Sequence, residues 1–578
     1  MVGLFSNVKI HYLNEGKSVL QPMAVGAAFS LLGVLEFEAY RQKGVFSTVA
    51  SRIWLAGMAY LLVSSFCLAM ADLVRELKNR EFLGPLAILG FCVLQLWGAG
   101  QIGPRWLDHE SAKGLAAGLA SLNSPDLGYT ALALGGYPAR QYSFLAATSL
   151  VFGSSLLVAN LTYGFVLSTA ALSMRMGLKK LLGTLSPKPG LYASAIVFAV
   201  FTSPLIFLYA RICEQSLLPS AFMMLAIGCF LMHTLGDKAG DSVRVGLAGG
   251  FLGSMHASAL AAAILLIAAL ASKAIGARAR EREEEKRARF AGIIQCLGLC
   301  LYIGVTVLIS AFQMRSSLSA GKADSDFISG ALISLVKENP YGLFRYITPL
   351  ALLYLVLSLI GMLSVYDLYL ALWSCAVLAL SLFSKGANSY VVAQRATVIV
   401  PAIVSAMGFH VVDFAKRQQL LFSKWVALLM AALAIAVPVA ENVLDPVQTS
   451  KFAKEEGVIQ TAIASELAAA LKSANSSTLV YFVDDEFLSD MMDFLAYCAP
   501  SANVLVVYGG QLEKYQKESD ESFMKREGDL RMIENGQDIE GGFVIAALRP
   551  ASIPERYGQG TRVSFEYFGN TYDLDICY

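Results

Sequence analysis

The feature that most constrains this 578-residue chain is a recurring one: stretches of about 20 mostly apolar residues, each long enough as a helix to cross a bilayer. They run over 53–74, 84–103, 143–172, 190–210, 217–234, 290–312, 346–365, 368–385, 395–412 and 422–441. Hydrophobic residues make up 56% of the chain and charged ones 15%, where a soluble protein carries about 25% charged residues. Mean hydropathy is +0.57, which excludes a string of soluble domains. Residues 20–37 form a weaker apolar stretch that ends in Glu36, Glu38 and Arg41 and reads as a span or an interfacial helix. Residues 243–276 are too long for one span, and Gly246, Gly249, Gly250 and Gly253 before His256 suggest two close-packed helices, the first short. The expected fold is a polytopic α-helical membrane protein of about 11 to 13 spans, followed by a C-terminal soluble α/β domain.

Charge divides the chain at about residue 443. Beyond it lie 22 acids and 11 bases, and before it 34 bases and 22 acids. The bases are spread over short loops instead of one patch, which argues against nucleic-acid binding. Four clusters sit near span ends: Arg75, Lys78 and Arg80; Arg175, Lys179, Lys180 and Lys188; Arg278, Arg280, Arg282, Lys286, Arg287 and Arg289; and Lys416, Arg417 and Lys424. Basic residues gather on the cytoplasmic side of spans. Placing all four clusters there requires 243–276 to cross twice and sends 104–142, 313–345 and the tail from about 443 outward. Arg41, Lys43 and Arg52 run against this arrangement. The expected organisation is additional membrane helices at 1–83, a membrane core at 84–442 and an exoplasmic domain at 443–578. No cleavable signal pattern is read at Met1.

The tail alternates between helical and strand patterns. An Ala-rich helix is expected at 452–474, a strand at 478–483, a helix at 485–497 and a strand at 503–508. A polar connection at 511–537 follows, then strands at 542–548 and 561–568, with Gly569-Asn570 as a hairpin turn. No glycine-rich phosphate loop follows the first strand, so dinucleotide binding is unsupported. Seven of the nine cysteines lie in or beside apolar runs and read as packing residues; Cys498 and Cys577, both in the tail, are candidates for a disulfide outside the cytosol.

The segment richest in chemistry follows the span 84–103: Trp106, Leu107, Asp108, His109 and Glu110. Two carboxylates and an imidazole beside an aromatic anchor can deprotonate a hydroxyl or hold a cation, and solvated loop charges are the plainer alternative. An amphipathic stretch at 112–122 comes next, then Asn123, Ser124, Pro125 and Asp126, and then Gly136, Tyr137, Pro138, Ala139, Arg140, Gln141 and Tyr142 at the mouth of the next span.

This order resembles the GT-C superfamily of membrane glycosyltransferases, especially the polyprenyl-phosphate-sugar-dependent branch of protein O-mannosyltransferases and lipid A aminoarabinose transferases. That family carries an acidic motif in its first outward loop, matched here by Trp106, Asp108 and Glu110, and a Gly-Tyr-Pro-like turn, matched by Tyr137-Pro138. His109 between the acids departs from the pattern and leaves the base position open between Asp108 and Glu110. The stretch 245–273 is similar to the family's glycine-rich pair of short helices, and 394–407 resembles its run from an Arg to a Pro, here Arg395 and Pro401. The likeness covers roughly 84–442 and rests on order and topology.

The resemblance implies inverting transfer, in which an acceptor hydroxyl attacks the anomeric carbon and a polyprenyl phosphate leaves. Asp108 or Glu110 would be the base. Arg395, Arg345 and His256 would meet the donor phosphate, and His109, Asp126, Tyr137, Arg140 and Tyr341 would line the donor or acceptor loops. Each arginine reads equally as a snorkelling helix anchor, and His256 as a packing residue. No resident cofactor is expected. A divalent cation stays open, with Asp324 and Asp326 in the second outward loop, while His11, His233 and His410 show no metal-ligand spacing. The expected partners are a polyprenyl-phosphate-linked sugar, a glycan, lipid or protein acceptor, and the lipids of a bacterial plasma membrane. A transporter or lipid flippase, or an O-antigen ligase or polymerase-like enzyme, are the competing readings. The first would show internal repeats and charges near the bilayer midplane, and the second a large loop between late spans.

Overall fold

The computed structural model describes residues 46–123, 142–183, 185–201, 209–214, 217–235, 239–255, 397–417, 457–514, 519–539, 542–567 and 569–578. Among these the helices are, in chain order, α1 (Phe46–Lys78), α2 (Leu83–Leu96), α3 (His109–Asn123), α4 (Ser143–Phe152), α5 (Leu156–Leu182), α6 (Pro189–Val200), α7 (Leu217–Leu235), α8 (Ala239–Met255) and α9 (Val400–Arg417). The C-terminal part adds α10 (Val458–Ser473), β1 (Thr478–Val483), α11 (Glu486–Ser489), α12 (Met492–Cys498), β2 (Asn503–Tyr508), β3 (Gln511–Leu512), α13 (Asp520–Glu534), β4 (Val544–Leu548), β5 (Thr561–Tyr567) and β6 (Asn570–Cys577). The chain divides into two compact units: residues 1–97, 163–210 and 215–445 in one, and 98–162, 211–214 and 446–578 in the other.

Among the described residues two segments are long and apolar enough to cross a membrane, Leu55–Lys78 and Leu156–Leu182, the latter beginning in the second unit's share of the chain. Leu83–Leu96, Pro189–Val200, Leu217–His233 and Val243–Leu252 are apolar but shorter. The window 84–103 is therefore not helical throughout: α2 ends at Leu96, and Gly98 adopts a positive φ of 70° in the turn after it. The window 143–172 is likewise interrupted, by Gly153 at φ 91°, between α4 and α5. Over 239–255 the chain forms one helix through all four glycines of the expected short segment; the rest of 243–276 lies outside the described residues.

One end of the first unit is fastened by buried charge. Arg175 of α5 holds Glu76 of α1 in a two-point contact, Nη1 to Oε1 at 3.1 Å and Nη2 to Oε2 at 2.7 Å, and its Nε donates to Ser194 Oγ of α6 at 2.7 Å. Lys179 reaches Asp72 Oδ2 at 2.9 Å and Glu76 Oε1 at 2.7 Å. Ser194 is bonded to the carbonyl of Gly190 at 2.9 Å and lies 3.3 Å from that of Gly84 at the start of α2. The ends of α1 and α5 and the starts of α2 and α6 thus meet at one place. Arg175 and Lys179, taken from sequence as loop cations, are neutralised here. Of the first two basic clusters, this leaves Arg75, Lys78, Arg80, Lys180 and Lys188 outside the buried ion pairs.

In the second unit, six strands form a sheet in the order β3-β2-β1-β4-β6-β5. β1 is parallel to both β2 and β4, with Val480 opposite Leu505 and Ile545, while β3, β5 and β6 are antiparallel additions. Val480, Leu505, Val507 and Ile545 pack with Leu530 and Ile533 of α13 on one face. Side chains alternate along a strand, so Leu479 and Tyr481 point to the other face. The polar connection expected at 511–537 contains α13, capped by Ser519 through the Ser522 amide at 3.2 Å. The helix expected at 485–497 is two, α11 and α12, with Asp485 capping the first through the Leu488 amide at 3.1 Å. Cys498 and Cys577 are free thiols.

Candidate functional site

Asp108 is the N-cap of α3. Its Oδ1 accepts a hydrogen bond from the Ser111 amide at 2.9 Å, satisfying one of the donors that a helix start leaves open. Capping explains one oxygen only. The carboxylate is 1% exposed, and Oδ2 has no hydrogen-bond partner among the described residues. Burial, opposed by the bonds from Ser111 and reinforced by the charge of Glu110, lifts Asp108 from the usual carboxylate range to about 7. A carboxyl poised there exchanges protons near neutral pH.

Three other segments of this unit enclose the start of α3. The turn at 211–214 presents the Cys213 carbonyl to the Ser111 hydroxyl at 3.0 Å and to the Tyr142 hydroxyl at 2.9 Å. The Cys213 thiol in turn donates to Asn160 Oδ1 at 3.2 Å, and Asn160 Nδ2 donates to the Ala99 carbonyl at 3.1 Å. Tyr142 fits because residue 114 has no side chain; a Cβ on Gly114 would overlap the tyrosine ring. From the tail, the start of α10 meets Leu107, and α12 brings Asp493 to 3.6 Å from His109 Nε2, with Asp490 Oδ2 4.0 Å from His109 Nδ1. The Phe494 ring lies against His109 at 6.2 Å between centroids.

Asp108, His109 and Glu110 are therefore together, with Trp106 and Leu107 fully buried before them. Asp108 is enclosed and is not a solvated loop charge, while His109 is half-exposed beside the tail's acids. Asp126, Tyr137, Arg140, His256, Tyr341, Arg345 and Arg395 lie outside the described residues, as do Asp324 and Asp326. Pro401 is the second residue of α9, where a missing amide proton leaves no helix bond broken.

Sequence reasoning missed Arg105 and Arg211. Arg105 is 3% exposed, and Arg211 has its guanidinium pushed below the usual arginine range by burial and then by the charge of Arg105. The charge of Arg105 acts on both Arg211 and the Cys213 thiol. A cation three residues before the acidic motif was the available signal; the turn at 211–214 carried none. Among the described residues no group of three or more His, Cys, Asp or Glu side chains is arranged to hold a metal ion.

No protein-family model matches the chain, and no curated protein is similar to it.

Proposed function

We propose that the protein is a membrane-embedded glycosyltransferase of about 11 to 13 spans that moves a sugar from a polyprenyl-phosphate donor to an acceptor hydroxyl on the outer face. The observation that carries the reading is Asp108: a buried carboxyl with one oxygen fixed as a helix cap, the other without a partner among the described residues, and a proton affinity raised to about 7. In the proposed reaction Oδ2 takes the proton of the acceptor hydroxyl as its oxygen bonds to the anomeric carbon. The bond from that carbon to the phosphate oxygen breaks with inversion, and the polyprenyl phosphate departs with the electron pair. Arg105 and Arg211 add positive charge to the same unit, and Arg345 and Arg395 remain proposed phosphate partners at the outer interface. Glu110 is the alternative base.

Membrane embedding is supported by the two long apolar helical segments and by the apolar side chains exposed along α2, among them Leu86, Val93 and Leu96. The buried charges at Glu76 and Arg175 do not favour a transporter. Glu76 lies in the last turn of α1, and the pair is saturated by its own contacts, as a helix fastener requires.

The test is release of undecaprenyl phosphate by the purified protein in detergent from a panel of undecaprenyl-phosphate hexoses, with and without glycan, lipid and peptide acceptors. The expected result is donor-dependent release that Asp108→Asn abolishes. Absence of release across the panel, or release unaffected by Asp108→Asn and Glu110→Gln, overturns the proposal.

A further inference from the structure

We propose that Thr461, in the first turn of α10, is a positioning residue for Asp108, so that the C-terminal domain forms part of the acidic site instead of only flanking it. The inference rests on the reading of Asp108 as the base. The Leu107 amide, one residue before Asp108, donates to Thr461 Oγ1 at 3.1 Å. The threonine hydroxyl has a single proton and two carbonyls in reach, Gly457 at 2.8 Å and Leu107 at 3.2 Å. Donation to the nearer one, four residues back on its own helix, leaves the oxygen lone pairs turned to the Leu107 amide.

Gly457 closes the same place from the other side. It is left-handed, at φ 94°, and a Cβ there would stand 2.7 Å from the Leu107 carbonyl and 2.9 Å from the Phe494 ring. Leu107 is thus bonded at its amide by Thr461 and closely packed at its carbonyl by the start of α10, where only glycine leaves room. On the far side of Asp108, Asp493 lies 3.6 Å from His109 Nε2. The tail bonds the residue before the carboxylate, sets acids beside the residue after it, and leaves Oδ2 itself uncommitted among the described residues. Ordinary packing has no need of that pattern. A base fixed through its neighbours, with one oxygen reserved for the incoming proton, does.

Thr461→Val removes the hydroxyl at nearly constant volume, and Thr461→Ser retains it. With the panel donor that the unaltered protein turns over fastest, Thr461→Val is expected to lower kcat by at least about 10-fold with KM within about 2-fold. Its acid limb in the pH profile should move to lower pH as the loosened loop admits water, and Thr461→Ser should recover most of the rate. Hydrogen exchange of peptides covering 105–112 in the full-length protein supplies a readout independent of turnover, with faster exchange expected in Thr461→Val and restoration in Thr461→Ser. If Thr461→Val does not accumulate, Asp493→Asn is measured in its place, with a smaller effect of the same sign. Unchanged kcat, pH limb and exchange in the variant, alongside inactive Asp108→Asn, overturns the positioning role and leaves the base standing. Full activity in Asp108→Asn removes the base itself. If no donor is turned over, unchanged exchange overturns the positioning role.

Discussion

The Tyr497 hydroxyl, on α12 of the C-terminal domain, lies 3.0 Å from Ser149 Oγ on α4 and donates to the Ser155 carbonyl at 3.1 Å, bridging the break between α4 and α5. The tyrosine is fully buried, and burial raises its phenol above the usual range, so it remains a neutral donor at every physiological pH. Tyr497→Phe removes the bond across the break, while the Ser155 carbonyl keeps the Ala159 amide, and should destabilise the protein by about 0.5 to 1.5 kcal/mol. Thermal unfolding in detergent measures this; an unchanged midpoint would mean that the bridge is dispensable.

Catalysis should follow the Asp108 carboxyl. A base must be deprotonated, so kcat/KM is expected to rise with pH through about 7 and level off above it. Asp108→Asn should remove that limb and lower turnover by about 10² to 10⁴-fold. A limb that persists in Asp108→Asn and disappears in Glu110→Gln assigns the base to Glu110.

The same group predicts a pH-dependent stability. Its proton affinity is raised in the folded protein, so its contribution is fully present below the unfolded value, near 4, and is lost as pH rises through about 7. Above that, the buried charge opposes folding by up to about 4 kcal/mol, discounting any relaxation of the site. Asp108→Asn should therefore raise the melting temperature more at pH 8 than at pH 5. Equal shifts at both would mean that the carboxyl is solvated.

Glu76→Gln leaves Arg175 buried opposite a neutral partner and should cost about 3 to 5 kcal/mol, while Glu76→Leu with Arg175→Met should cost clearly less than either single change. Melting temperatures of the three variants in detergent provide the comparison. Additive losses would show that the two side chains act separately.

Orientation can be read chemically at Met524, which is 62% exposed on α13 and bonded to nothing that a cysteine would disturb. Met524→Cys should react with a membrane-impermeant maleimide in intact cells. Reaction only after lysis would place the tail in the cytosol and remove the proposed outer-face reaction.

Much of the tail was legible because its strands are short apolar runs bounded by polar turns: β1 and β2 begin and end where the pattern of 478–483 and 503–508 does. α13 was not read, because only Leu530 and Ile533 of its residues are buried and the rest presents charge to water. Its end signals were present in Ser519, Asp520, Glu521 and Arg531, with Gly536 beyond, and capping would have found what hydrophobic periodicity could not. The acidic motif could be picked out from residue types alone, whereas its partners could not. Thr461, Asp493 and Cys213 are ordinary residues in their own segments and acquire meaning only through contacts across long stretches of chain.

The grip of Thr461 on Leu107 also has a temporal side. The two residues are separated by 354 positions, which a ribosome making about 5 to 20 residues per second needs roughly 20 to 70 s to cover. Through that interval the acidic loop exists without its contact to α10, and the Leu107 amide lacks the threonine oxygen that accepts it in the finished protein. The loop is completed late, by the arrival of the last domain, so a chain interrupted before α10 would carry the whole motif and lack the residue that binds its start.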